Sequence, residues 1–144
     1  MSILNKKNPI YYVMTKKVVV ANVNSKFSDV QKLFLEYDAS HLPVMDGEVL
    51  MGIISDHDIM RAYAATLEKV GSVSIEHLDE VFKVEDWMTP NPVVMRSDDP
   101  IARAAEILGE RRFEALPIVD DGDIVGIVTN KDLVSFLSQV YEQM

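Results

Sequence analysis

Two stretches of the chain alternate in the same way between apolar runs and polar breaks. LPVMDGEVLMGIISDHD runs from Leu42 to Asp58 and LPIVDDGDIVGIVTNKD from Leu116 to Asp132. Each has a short apolar strand containing proline, an acidic turn, a second apolar strand broken by one glycine, and a Ser/Thr-x-x-Asp close. The pattern predicts strands at Leu42–Met45 and Val49–Ile54, and again at Leu116–Val119 and Ile124–Val128. Pro43 cannot donate to a ladder, which marks a strand start or an edge.

The flanking periodicity is helical. Before the first hairpin, Asn24-Ser25 offers an N-cap, with Val30, Leu33, Phe34 and Tyr37 on one face and Asp29, Lys32 and Glu36 opposite. Before the second, Asp98-Asp99-Pro100 suits a helix start sterically and by the dipole, and Ile101, Ala104, Ala105 and Leu108 share a face. A helix follows each hairpin. One starts at about Asp56, carries the stripe Ile59, Met60, Tyr63 and Leu67, and ends at Gly71; the other carries Leu133, Phe136, Leu137, Val140 and Tyr141. β-branched runs at Val18–Val20 and Val93–Met95 predict an opening strand for each unit, so both read β-α-β-β-α.

Laying residues 13–61 on 87–135 without a gap gives eleven identities in 49 positions, among them Met14-Thr15 on Met88-Thr89, Leu42-Pro43 on Leu116-Pro117, Gly52-Ile53 on Gly126-Ile127, and Asp58 on Asp132. The chain is a duplication. Its expected organisation is a tail at 1–12 packing over the first repeat, a first repeat at 13–71, an acidic connection at 72–86, and a second repeat at 87–144. In the connection, Ser74 as N-cap and Ile75, Leu78 and Phe82 at helical spacing predict a short helix. Halves this short bury little surface alone, so the repeats are expected to fold on each other.

Composition narrows the function. No run of 18 apolar residues occurs, and Met1–Leu4 ahead of Lys6-Lys7 reverses the order of a secretory signal, so a soluble cytoplasmic protein is expected, without a membrane span. Cysteine is absent, which removes disulfides, thiol catalysis and thiolate metal sites. The net charge of −9 is uneven: residues 1–72 hold eight Lys/Arg and eight Asp/Glu, residues 73–144 six and fifteen. With no basic stripe, direct nucleic-acid binding is not expected. Three scattered histidines and the lack of a Gly-rich phosphate loop or a G-x-G-x-x-G after a strand offer no catalytic constellation, so the chain is not expected to be an enzyme.

Met-Thr opening a strand, Leu-Pro after an amphipathic helix, and Gly-h-h-Ser/Thr-x-x-Asp entering a second helix occur in order, twice, at constant spacing. Both units resemble CBS motifs, and together they look like a CBS pair, or Bateman module, over about residues 13–141. The layout is similar to stand-alone pairs of the acetoin-utilisation type. The resemblance implies an α/β (α+β) fold of two tandem repeats packed with pseudo-twofold symmetry through their sheets. It implies a regulatory module that binds an adenine nucleotide or related adenosyl ligand (AMP, ADP, ATP or S-adenosylmethionine, with Mg2+ if ATP), requires no cofactor, assembles as a homodimer of pairs and signals to an effector protein. It also implies two clefts that cross the repeats. One uses Ser55, His57 and Asp58 with Thr89, Val94, Phe113 and Ala115; the other uses Thr129, Lys131 and Asp132 with Thr15, Val20, Ala39 and His41. His57 and Lys131 stand where the motif often has arginine, and the second cleft is the more basic.

The residues supply a physical reason of their own. Gly52 and Gly126 suit a close approach of a ligand or a second backbone. Ser55 and Thr129 stand at predicted helix N-termini, which favour phosphate, and Asp58 and Asp132 can accept two hydrogen bonds from a vicinal diol. On one repeat alone, Ser/Thr-x-x-Asp reads as a plain helix cap; the duplication in full context favours the ligand. The alternative function is a structural pair with empty clefts whose apolar helices only mediate assembly. His77 reads as exposed, Asp120–Asp123 as a hairpin turn rather than a metal loop, Trp87 as packing, and Met45, Met51, Met60, Met88 and Met95 as core filler.

Overall fold

The computed structural model describes residues 8–110 and 112–143. The chain forms two compact units, Val19–Asn91 and Met1–Val18 with Pro92–Met144.

In the Val19–Asn91 unit, a four-stranded sheet has the order β1 (Ala21–Asn22), β2 (His41–Asp46), β3 (Val49–Ser55), β4 (Thr89–Pro90). β1 runs parallel to β2, and the other pairs are antiparallel. The β2–β3 hairpin closes through Gly47, whose φ of 59° suits the first central position of a tight turn. α1 (Phe27–Tyr37) and α2 (Asp56–Val70) flank the hairpin in sequence, and the connection forms two short helices, α3 (Ile75–Val81) and α4 (Val84–Trp87). Phe27, Val30, Leu42, Val44, Ile54, Leu78 and Val84 are fully buried in one core, where Phe27 meets Phe82 edge-on at 5.5 Å.

The other unit repeats the plan around the antiparallel hairpin β5 (Ala115–Asp120) and β6 (Asp123–Thr129), preceded by α5 (Ile101–Gly109) and followed by α6 (Asn130–Gln143). The Asp121-Gly122 turn has positive φ at both residues (50° and 86°), as a two-residue hairpin requires. Single bridges extend the hairpin on both sides, Met95 parallel to Ile118 and Thr15 antiparallel to Ile127.

Several expectations shift. The ladder beside β2 forms at Ala21–Asn22 rather than Val18–Val20, and Val93–Met95 contributes one bridge. β-branching favours extension, but a strand exists only where a partner offers hydrogen bonds. α1 starts at Phe27, not at Asn24-Ser25. Those two residues close a turn instead: Asn24 N–H donates to Asn22 Oδ1 (2.8 Å), and Asn22 N–H to Ser25 Oγ (3.0 Å).

The tail packs on the second repeat rather than the first. Ile10 N–H donates to Asp99 O (2.8 Å), Tyr11 N–H to Ser97 O (3.0 Å), and Ile101 N–H to Asn8 O (2.9 Å). Pro100 is the N-cap of α5 and has no side-chain acceptor, so the Asn8 carbonyl takes the helix's free donor, while Ile10 is fully buried.

The predicted stripes of the outer helices are only partly covered. Ile59 and Ala62 are buried in α2, but Met60 is 66% exposed and Tyr63 and Leu67 are exposed; in α6 only Val140 is buried. Met60 is therefore surface, not core filler. His77 is half-buried rather than exposed.

Candidate ligand-binding half-sites

Each hairpin delivers its Ser/Thr-x-x-Asp motif to the start of a helix. In the Val19–Asn91 unit, Ser55 caps α2 through a reciprocal pair: Asp58 N–H donates to Ser55 Oγ (3.1 Å), and Ser55 N–H donates to Asp58 Oδ2 (2.8 Å). The second carboxylate oxygen, Oδ1, accepts from Arg61 Nη2 at 2.8 Å. Arg61 also stands over Trp87, with its guanidinium 5.5 Å from the ring centroid. Trp87 packs against the core of this unit.

The Thr129–Asp132 motif keeps half of that arrangement. Thr129 N–H donates to Asp132 Oδ2 (2.9 Å), and the Thr129 hydroxyl donates to the same oxygen at 3.3 Å. Asp132 Oδ1 accepts from the Thr15 hydroxyl at 3.1 Å. Thr15 is held there because its N–H and C=O exchange hydrogen bonds with Ile127 (2.9 and 3.0 Å). The outer oxygen of this aspartate thus faces a neutral hydroxyl, and that of Asp58 faces a cation.

The glycines explain why methionine and threonine open each repeat. A Cβ on Gly52 would lie 2.6 Å from the Thr89 carbonyl oxygen and 2.7 Å from Met88 Sδ; on Gly126 it would lie 2.6 Å from Met14 Sδ and 3.1 Å from the Thr15 carbonyl oxygen. A second backbone and a methionine use the close approach. Both aspartates are therefore oriented by cap and strand before any ligand arrives.

The fold places the other expected site residues as follows. Thr89, in β4, pairs with Ile53 in the same unit as Ser55, His57 and Asp58. His41 is the register partner of Ser55 and holds Ser40 Oγ 2.9 Å from its Nδ1; Ala39 is half-buried against that unit's core, and Val20 is exposed just before β1. Ala115 is the register partner of Thr129, Phe113 packs on the core of the second hairpin, and Val94 is exposed just before Met95. His57 and Lys131 are exposed in the first turns of α2 and α6. The structure therefore joins Thr15, Thr129 and Asp132 by hydrogen bonds, and Ser55 with Asp58. Arg61 was not among the expected residues; its signal was a cation three residues after Asp58 on one helix face.

Among the described residues, no group of three or more His or acidic side chains is placed to hold a metal ion, and no helix is long and apolar enough to cross a membrane.

A hairpin between two helices, ending on a capped Ser/Thr-x-x-Asp and completed by a Met-Thr segment, occurring twice, defines a class of tandem α/β modules. The family model described as CBS domain matches residues 10–65 and 84–139, and the chain belongs to the CBS domain family as a CBS pair. It is 28% identical to CBSX2 of Arabidopsis thaliana, solved in complex with AMP, covering 92% of this chain and 98% of that one at a TM-score of 0.72. The CBS domain pair of protein MJ0100, solved with 5-methylthioadenosine and S-adenosyl-L-methionine, is 26% identical over 90% of this chain and 99% of that one, with a TM-score of 0.70. A Vibrio cholerae structure described as an acetoin utilization protein shares the fold at a TM-score of 0.80 and 19% identity, covering 96% and 98% of the two chains. The chain spans 37, 59 and 23% of the first three curated relatives that it matches. It spans 98% of an uncharacterized Methanocaldococcus jannaschii protein, with 32% identity.

Proposed function

We propose that the chain is a regulatory module, not a catalyst, which binds an adenine nucleotide or related adenosyl ligand and passes the bound state to an effector protein. The observation that carries this reading is the orientation of two carboxylates, Asp58 and Asp132, each fixed at a helix start by its own cap, with its second oxygen turned to a partner, Arg61 or the Thr15 hydroxyl, that a ribose diol can replace. A carboxylate set in this way holds vicinal ribose hydroxyls, and the adjacent helix N-terminus favours phosphate. The AMP-bound and S-adenosylmethionine-bound relatives support the same ligand class. Thr15 and Lys131 are assigned to the Asp132 site, and Thr89 and His57 to the Asp58 site; with ATP, Mg2+ accompanies the phosphates. The module works in the cytoplasm.

Calorimetry with AMP, ADP, ATP and S-adenosylmethionine tests this. Asp132→Ala removes a charge-assisted acceptor and is expected to weaken binding about ten- to a hundredfold, more than Asp58→Ala. Saturable binding unchanged in the double variant would contradict the site, and no binding of any adenosyl ligand would leave the assembly reading.

That second reading has its own support, and the two are compatible. Leu35 (78% exposed) and Met60 (66%) border an apolar groove of about 320 Å3 with Phe34 and Ile59, and Val134, Leu137 and Tyr141 are exposed on α6. Exposed apolar side chains of this kind mark an interface, and the proposed occupant is a second copy of the chain, giving a homodimer of pairs.

A further inference from the structure

The two carboxylates are oriented alike but not equally available. Arg61 donates to Asp58 Oδ1 at 2.8 Å, with the guanidinium side 64% exposed and the carboxylate side 14%. Stacking over Trp87 at 5.5 Å holds the arginine from its other face. At the matching place in the second repeat stands Ser135, without charge, and among the described residues the hydrogen-bond partner of Asp132 Oδ1 is the Thr15 hydroxyl at 3.1 Å. A diol arriving at Asp132 exchanges one neutral hydroxyl for another. A diol arriving at Asp58 competes with an ion pair.

We infer that Arg61 is a competitive latch on the Ser55–Asp58 half-site, so that a ribose-bearing ligand fills the Thr129–Asp132 half-site first and engages Asp58 only by displacing the guanidinium. This rests on the proposed adenosyl binding and deepens it: Arg61 sets the order of filling without being one of the ligand's own donors. Because the arginine is largely exposed, the latch is weak and salt-sensitive, which suits a threshold rather than a block.

Adenosine is the suitable probe, because it carries the diol and no phosphate for Arg61 to attract. Asp132→Ala leaves binding to the Ser55–Asp58 half-site, and Asp132→Ala/Arg61→Gln removes the latch from the same background. The double variant is expected to bind adenosine about two- to fivefold tighter, the size of an exposed ion pair. Added sodium chloride should tighten adenosine on Asp132→Ala and leave the double variant unchanged. Trp87, the single tryptophan, should report displacement of the guanidinium by a change in emission that is reduced in the double variant. Equal or weaker binding by a folded double variant overturns the latch while leaving adenosyl binding intact. If the substitution at Arg61 unfolds the chain, salt titration of Asp132→Ala decides alone, and an affinity that is flat or falls with salt overturns the latch. Failure of the unsubstituted chain to bind any adenosyl ligand overturns the proposed function instead.

Discussion

Gly52 and Gly126 occupy matching positions in the two repeats, yet a methyl group meets different obstacles at each. At Gly52 the nearest atom is a backbone oxygen of β4 at 2.6 Å; at Gly126 it is the end of the flexible Met14 side chain, with backbone only at 3.1 Å. Gly52→Ala is therefore expected to destabilise the fold by about 1–3 kcal/mol, the usual cost of overpacking, and Gly126→Ala by less, because a thioether can turn aside. Urea denaturation of the two variants checks the order; a larger loss for Gly126→Ala would show that Met14 is the more tightly held. The glycines were legible in the sequence as places of close approach. Which atoms approach was not, because the Met-Thr segments that do so lie far away in the chain.

At the level of elements, polar clamps and a buried anchor join segments that sequence periodicity treats separately. Asp79 on α3 accepts the backbone N–H (2.8 Å) and hydroxyl (2.7 Å) of Ser28 at the start of α1, and the backbone bond foremost holds its carboxyl below the usual range. Asp120 is lowered likewise by the Ser97 hydroxyl and then its N–H. A carboxylate whose pKa is depressed on folding contributes stability above its unfolded value, and this is lost as pH falls through the folded value. Stability is thus expected to drop below about pH 4, and Asp79→Asn should flatten that decline in thermal melts taken from pH 7 to pH 3. An unchanged acid slope would remove Asp79 from the account. Ile10 is the other junction: its fully buried side chain sits in the core of the second hairpin. Ile10→Ala is expected to cost about 2–5 kcal/mol by chemical denaturation, as for a large-to-small core change. A cost below 1 kcal/mol would mean that the tail is an ornament.

For the whole molecule, the exposed apolar residues of α1, α2 and α6 make self-association the expected state. Sedimentation at micromolar concentration should give twice the mass of one chain, and Leu35→Glu/Met60→Glu should shift it toward the monomer by placing charge in the covered patch. A monomer in the unsubstituted protein would remove the dimer and leave ligand binding to stand alone.

The sequence by itself determined the duplication, by comparison of its two halves, and local pattern determined the two hairpins with their turns, the helices on either side and the Ser/Thr-x-x-Asp caps, because each of these depends on residues within about one helical turn or one hairpin of each other. Tertiary structure decided the rest. Met88-Thr89 opens the second repeat in sequence but completes the sheet of Val19–Asn91, while Met14-Thr15 completes the other hairpin. Likewise the tail caps α5, and Asp58 and Asp132, identical in motif, meet different partners. Thr15 and Asp132 are separated by 117 positions, and a hydrogen bond across that distance leaves no periodic trace; it exists only once the fold has brought both ends to the same strand edge.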